Sequence, residues 1–94
     1  MRVLAIANQK GGVGKTTTAI NLGTALAAAG KGVLIFDTDP QGNASTGLDI
    51  HPRDRSVTSY DVLIGQLPLA KAILPTKVPN LYITPGDARL SGVE

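Results

Sequence analysis

This chain contains no cysteine and no tryptophan, and it has one histidine. Without cysteine it can form no disulfide, zinc knuckle, iron–sulfur cluster or thiol nucleophile, and one imidazole is too few for most histidine-based metal sites. Its three aromatic residues, Phe36, Tyr60 and Tyr82, are too few to form a stacking platform for nucleic-acid bases. Any site chemistry must therefore come from lysine, threonine, aspartate and the backbone.

An excess of charge of one sign and a long hydrophobic run are also missing. Nine Lys and Arg residues against seven Asp and Glu residues give a net charge of +2, and the cations are scattered along the chain. Proteins bind a nucleic-acid backbone through a dense basic patch, and the scattered Lys and Arg residues of this chain do not indicate one. No apolar run reaches the length of a membrane span, and the first ten residues do not resemble a secretory signal. We therefore expect a cytoplasmic protein.

The order of apolar segments predicts an α/β architecture in one small domain, because 94 residues are too few for two. Val3–Ala7 and Val33–Phe36 are continuous apolar runs, which are typical of strands covered on both faces in a parallel sheet. Between them we predict a helix that ends at Gly30. Its apolar stripe is formed by Ala19, Leu22, Leu26 and Ala29.

Downstream of these elements the pattern predicts further helices and a third strand. A helix capped near Thr58 or Ser59 is expected to bury Tyr60 and Leu63 in the core. Shorter helices are expected from Pro68 to about Leu74 and from Asp87 onward, and Leu81–Thr84 is expected to be a strand. Three parallel strands leave two open edges. We therefore expect a larger α/β domain, either cut short here or completed by a second copy.

A glycine-rich stretch between the first strand and the first helix has the composition of a phosphate cradle. The glycines of Gly11–Thr16 allow backbone N–H groups to converge on an anion at the start of a helix. Lys15 would reach the β- and γ-phosphates of a nucleotide, and the Thr16 hydroxyl would bind Mg²⁺. A glycine-rich turn without a ligand is the alternative.

The loop departs from the standard pattern G-x-x-x-x-G-K-[ST], because Gln9 stands where that pattern has glycine and the additional Lys10 follows it. From the residues alone, Lys10 is either a solvated loop lysine or a group that reaches a second nucleotide across an interface. With this lysine the loop resembles the deviant Walker A motif of the ParA/MinD class of dimerising ATPases. The resemblance is carried by Lys10, Gly11, Gly12, Val13, Gly14, Lys15, Thr16 and Thr17, which are also the predicted nucleotide-binding residues.

The flanking residues resemble the ParA/Soj partition branch of that class, mainly through Asn8-Gln9, Thr16–Leu22 and Asp37–Asn43. The likeness is strongest over residues 2–48 and weak over residues 50–80. It implies a P-loop NTPase-like parallel sheet with flanking helices, of which about three strands are present. It also implies that residues 1–94 are the N-terminal portion of a single ATPase domain, truncated before the Walker B strand.

The resemblance assigns ATP and Mg²⁺ as ligands and gives catalytic roles to Lys10, Lys15 and Asp39. Lys10 would contact phosphate in the partner subunit of an ATP-dependent homodimer. Asp39 would orient the attacking water or engage Mg²⁺ through its hydration shell, and Asp37 would support that shell through water. Strand-end acids that only cap a turn or pair with Lys15 are the alternative.

Two further features carry implied roles in dimerisation. Gly12 would lie where the two loops of a dimer approach most closely, so a side chain there should block closure. Pro40–Asn43, which we call the switch segment, would sense the γ-phosphate, and a plain turn is the alternative.

The resemblance implies an ATP-hydrolysing dimerisation switch that acts in plasmid or chromosome partitioning. Its implied partners are a ParB-like centromere-binding protein and non-specific DNA, the latter through residues absent from this chain. It would be cytoplasmic and associated with the nucleoid when ATP is bound. The alternatives are a MinD-like cell-division positioning ATPase and a non-catalytic α/β piece that self-associates.

Overall fold

The computed structural model describes residues 3–7 and 13–92, and the side chains of residues 3 and 13–16 lie outside that description. The described elements are β1 (Val3–Ala7), α1 (Val13–Ala28), β2 (Val33–Asp37), α2 (Asn43–Gly47), α3 (Ser59–Leu63), β3 (Leu74–Pro75) and β4 (Leu81–Thr84). Where helices were predicted near residues 68–74 and from residue 87, the structure has 3₁₀ segments, Leu69–Ala72 and Ala88–Gly92. Among the described helices, none has the length and apolar character needed to cross a membrane.

The four strands form one sheet in the order β1-β2-β4-β3. β1, β2 and β4 are parallel, with Val3 opposite Val33 and Val33 opposite Leu81, which confirms the predicted parallel architecture. The prediction of three strands missed β3, which runs antiparallel to β4. Two residues carry no periodicity, and the second, Pro75, is tolerated because β3 is an edge strand.

One face of the sheet packs against α1. A Cβ placed on Gly23 would lie 3.3 Å from Leu81 Cδ1 and 3.5 Å from Ile35 Cδ1, so the helix backbone lies close to the sheet at this point. The missing side chain is what allows this approach. The buried core between helix and sheet consists of Ala7, Ala27, Val33, Ile35, Ala44, Leu48, Leu81 and Ile83.

The buried stripe of α1 differs from the predicted one. Leu22 is 56% exposed and Ala29 is also exposed. Ala19 and Leu26 pack against the core as predicted, together with Ile20, Gly23 and Ala27. The prediction was wrong at Leu22 and Ala29, and it missed Gly23 and Ala27 because residues this small carry little hydrophobic signal.

The helix predicted near Thr58 is present but short. Thr58 is its N-cap, and the Asp61 carboxylate accepts the Thr58 N–H at 2.9 Å in a capping box. The helix ends at Leu63, ahead of Gly65 with φ +79°. Leu63 is 50% exposed, so its predicted place in the core was wrong, and Ile64 is 45% exposed.

The opposite face of the sheet is open near β1. Leu4 and Ile6 point to this face and are 56% and 62% exposed, and Tyr82 on β4 is 37% exposed. Leu34, which lies between Leu4 and Tyr82 in the sheet, is buried. We call Leu4, Ile6 and Tyr82 the open apolar face.

Candidate functional site

The three parallel strands end at one edge of the sheet. β1 ends at Ala7, β2 at Asp37 and β4 at Thr84. Thr38 ties the first two ends together, because its N–H and its Oγ1 both donate to the Ala7 carbonyl, at 2.8 and 3.0 Å. Ligands of open α/β sheets bind at this edge. The candidate site is therefore built where Asp37 and the residues that follow it leave the sheet.

Asp37 is fully buried, and three hydrogen bonds hold its carboxylate. Oδ1 accepts the Asp39 N–H at 3.0 Å, and Oδ2 accepts the N–H and the hydroxyl of Ser45 at 3.1 and 2.7 Å. Burial raises the pKa of Asp37, the Ser45 and backbone hydrogen bonds oppose that rise, and the Asp39 charge adds to it. These bonds fix the start of α2 to the end of β2.

Asp39 is 1% exposed, and its carboxylate orders the switch segment. Oδ1 accepts the Gln41 N–H and Oδ2 accepts the Asn43 N–H, each at 2.9 Å. Side-chain bonds of this kind stabilise tight turns. Asp39 does cap a turn, and its orienting role toward water stays a prediction.

The residues after β4 complete the network. Gly86 donates its N–H to Ser45 Oγ at 3.1 Å, and the hydroxyl of Ser59 donates to the carbonyl oxygen of Asp37. Thr84 Oγ1 is buried at the same edge and has no hydrogen-bond partner among the described residues. Four stretches of the chain therefore meet around the buried Asp37, namely the end of β2, α2, the start of α3 and the loop after β4.

Sequence reasoning did not select Ser45, Gly86 or Arg55, which hold this network in place. Ser45 lies just after the stretch Asp37–Asn43, whose residues were predicted to have roles in the site. Arg55 is one of the scattered cations of the sequence, yet its guanidinium donates hydrogen bonds to Thr46, Ile50 and Gly86. No motif marks these residues, because their partners lie up to 41 positions away in sequence.

The predicted phosphate loop falls partly outside the described residues. Lys10, Gly11 and Gly12 lie outside them entirely. α1 begins at Val13, inside the predicted loop Gly11–Thr16, so the last four residues of that loop form the first turn of the helix, and their side chains lie outside the description. Thr17 is exposed in the same helix. The roles of Lys10, Lys15 and Thr16 therefore stay predictions.

The described part of the site fits a nucleotide with Mg²⁺. The first N–H groups of an α-helix have no partner within the helix, and no acidic residue lies in the first turn of α1 to compete with an anion. A Cβ on Gly47 would lie 3.0 Å from Ile20 Cδ1, so α2 packs directly against α1. Among residues 3–7 and 13–92 no cluster of three acidic or histidine side chains could hold a metal alone. Mg²⁺ needs no such cluster, since it is commonly bound through one or two carboxylates, water and phosphate oxygens.

Comparison with known proteins agrees with this architecture. A family model described as an AAA domain matches residues 1–94. The chromosome partitioning protein ParA of Caulobacter vibrioides is 65% identical over 94 residues, which are 100% of this chain and 35% of that protein. The sporulation initiation inhibitor protein Soj of Bacillus subtilis is 48% identical over 93 residues, covering 99% of this chain and 37% of that protein.

A solved structure shows the same fold with a nucleotide bound. The crystal structure of cobyrinic acid a,c-diamide synthase from Mycobacterium smegmatis, with bound ADP and magnesium, matches with a TM-score of 0.84 and 41% identity. The match covers 99% of this chain and 37% of that one. The chain thus spans about a third of the length of the curated relatives named above. Because the AAA-domain model matches the whole chain, the chain belongs to the AAA-domain family, and within it the chain is similar to the ParA and Soj proteins named above.

Proposed function

We propose that the full-length protein is an ATP-dependent dimerisation switch of the ParA type that binds and hydrolyses ATP with Mg²⁺ and acts in plasmid or chromosome partitioning. The observation that carries the proposal is the placement of two buried aspartates, Asp37 and Asp39, at the carboxyl edge of the sheet where α1 begins. The 65% sequence identity to a chromosome partitioning protein over all 94 residues supports the proposal.

We further propose that residues 1–94 are the N-terminal portion of a single P-loop ATPase domain that continues with a Walker B strand. The open apolar face supports this proposal. Parallel sheets are generally covered on both faces, whereas Leu4 and Ile6 are more than half exposed. Further secondary structure of the same domain would cover them.

Each residue of the site then has a distinct task. Lys15 and the backbone of the glycine-rich loop hold the phosphates, and the Thr16 hydroxyl contributes to the Mg²⁺ site. Mg²⁺ supplies positive charge that neutralises the phosphate oxygens. Asp39 orients the attacking water, and it moves with the switch segment because its carboxylate is bonded to the Gln41 and Asn43 N–H groups. A change in the position of the switch segment therefore changes catalysis.

Asp37 acts one step further from the reaction. Its two oxygens already accept three hydrogen bonds from the chain, so it supports the Mg²⁺ shell through water rather than by direct ligation. Its second contribution is to position Asp39, whose N–H it accepts.

Dimerisation supplies the remaining group. Lys10 of each subunit would reach the nucleotide of the other, and Gly12 would allow the two loops to approach. Phosphoryl transfer depends mainly on positioning and on charge neutralisation, so a lysine supplied across the interface makes hydrolysis depend on association. The ATP-bound dimer would bind DNA on the nucleoid, and a ParB-like protein would stimulate hydrolysis and return the protein to the cytoplasm.

The nucleotide roles are tested by Lys15→Ala and Asp39→Ala in the full-length protein. Lys15→Ala should abolish binding of a fluorescent ATP analogue, whereas Asp39→Ala should bind it and remain a dimer in ATP, as judged by sedimentation. Lys31→Ala is the matched control, because Lys31 is an exposed lysine beyond the far end of α1. Equal loss of binding in Lys15→Ala and Asp39→Ala would show that Asp39 has been misassigned.

The partitioning role is tested by what the ATP-bound dimer binds. We expect salt-sensitive binding to duplex DNA of random sequence and no binding to phospholipid vesicles. Vesicle binding without DNA binding would favour a MinD-like positioning ATPase. Self-association that is independent of nucleotide, together with no ATP turnover, would favour the non-catalytic alternative.

A further inference from the structure

Arg55 follows the 3₁₀ segment Pro52–Asp54, and its guanidinium contacts three separate parts of the chain. Its Nε and Nη2 donate to the Ile50 carbonyl at 3.2 and 2.7 Å. Nη2 also donates to Thr46 Oγ1 at 3.0 Å, and Nη1 donates to the Gly86 carbonyl at 3.4 Å. One side chain therefore joins α2, the loop after α2 and the loop after β4.

The acceptors of Arg55 are all uncharged. Among the described residues the ion pairs involve Lys77 and Arg89, and no carboxylate lies within ion-pair distance of Arg55. Hydrogen bonds from an ionised donor are stronger than neutral ones, and the planar guanidinium presents five donors in a fixed fork. These properties suit Arg55 to fix the relative positions of several oxygens rather than to balance a charge.

The guanidinium also lies against the switch segment. Gly42 has φ +63°, and a Cβ placed on it would lie 2.4 Å from Arg55 Nη1 and 2.9 Å from the Gly86 carbonyl oxygen. Gly86 in turn donates to Ser45, and Ser45 donates to Asp37. The contact therefore connects the turn that carries the candidate catalytic carboxylate to the buried network at the end of β2.

We propose that Arg55 is a positioning residue that holds the switch segment against the loop after β4, and so holds the Asp39 carboxylate in its orientation. This rests on the proposed function, since it assigns Arg55 to the same site. Arg55 acts through Gly42 and Gly86 and not on the nucleotide. Its loss should therefore lower the rate of hydrolysis and leave nucleotide affinity, which depends on the glycine-rich loop and α1, almost unchanged.

The test compares Arg55→Ala, Arg55→Lys and the control Arg53→Ala in the full-length protein. Arg53→Ala removes the same charge two residues away, from an exposed side chain. We expect Arg55→Ala to lower kcat about tenfold or more while KM for ATP changes less than about twofold, which reflects the loss of charge-assisted hydrogen bonds. Arg55→Lys should not restore kcat, because lysine lacks the fork. Millimolar guanidinium, far below denaturing concentrations, should raise kcat in Arg55→Ala alone.

Hydrogen exchange provides a readout that does not depend on turnover. Amide exchange over residues 41–47 should become at least about tenfold faster in Arg55→Ala, with β2 and α1 unchanged. The proposal would be overturned if Arg55→Ala kept the kcat and the amide exchange rates of the wild type, or if Arg53→Ala lost as much kcat and protection as Arg55→Ala. It would also be overturned if both Arg55→Ala and Arg55→Lys lost amide protection throughout the sheet. If the wild type hydrolyses no ATP, the proposed function fails, and the exchange data still decide whether Arg55 holds the segment.

Discussion

Gly42→Ala perturbs the switch segment at the point where backbone conformation and tertiary contact coincide. Gly42 lies in the left-handed region, with φ 63° and ψ 39°, at the start of α2. The added methyl would lie 2.4 Å from Arg55 Nη1 and 2.9 Å from the Gly86 carbonyl oxygen. The guanidinium must therefore leave its position for the methyl to be accommodated.

Two contributions set the expected cost. An L-residue in the left-handed conformation is less stable by about 1–2 kcal/mol. Displacing the guanidinium from Thr46, Ile50 and Gly86 removes charge-assisted hydrogen bonds, which together contribute at least about 1.5–3 kcal/mol. The sum is about 2.5–5 kcal/mol of local opening free energy, or roughly a hundredfold or more in exchange rate.

A double-mutant cycle with Arg55→Ala separates the two contributions. Native-state hydrogen exchange over residues 41–47 gives the opening free energy of each variant. In the Arg55→Ala background, Gly42→Ala should cost less by about 1.5–3 kcal/mol, because the guanidinium is already gone. Additive effects of the two substitutions would refute the contact between Gly42 and Arg55 as the cause.

Three further predictions concern other parts of the chain. Asp61→Ala removes the capping box with Thr58 and should lower the free energy of unfolding by about 1 kcal/mol at neutral pH, measured by urea titration. The Thr58 N–H bond and Arg89 lower the pKa of Asp61. The stability advantage of the wild type over Asp61→Ala should therefore be present above pH 3.8 and vanish as the pH falls through the lower, folded-state pKa. An advantage that persists in acid would contradict this. Burial raises the pKa of Asp37. The stability of the wild type relative to Asp37→Asn should therefore fall as the pH rises from 3.8 toward the raised pKa. A rise in relative stability over that pH range would contradict the assigned direction of the pKa shift. Gly12→Val should leave a nucleotide-bound monomer, and sedimentation as a dimer in an ATP analogue would be inconsistent with close approach of the two loops.

The elements that were predictable carry local signals. β2 and β4 are short apolar runs bounded by turn residues, and the start of α1 lies within the glycine-rich stretch Gly11–Thr16 that predicted it. The Thr58 cap was equally visible, because a capping residue acts within three positions of its partner. These features depend on neighbours in sequence, which the sequence displays directly.

The features that were missed depend on tertiary contact. The buried stripe of α1 runs through Gly23 and Ala27, whose burial follows from the close approach of the sheet and not from hydrophobic side chains. The bond from Arg55 to Gly86 joins residues 31 positions apart, and the bond from Gly86 to Ser45 joins residues 41 apart. No spacing rule links such residues, so the sequence could not predict these contacts and only the three-dimensional structure shows them.

Mixing two inactive variants tests the account most directly. Lys10→Ala lacks the lysine that would serve the partner's nucleotide, and Asp39→Ala lacks the carboxylate that would serve its own, so each alone should hydrolyse no ATP. Half of randomly mixed dimers would contain one of each and have one intact site, which predicts about a quarter of wild-type turnover in an equimolar mixture. A mixture that stays inactive, or full turnover by Lys10→Ala alone, would contradict a lysine acting across the dimer interface.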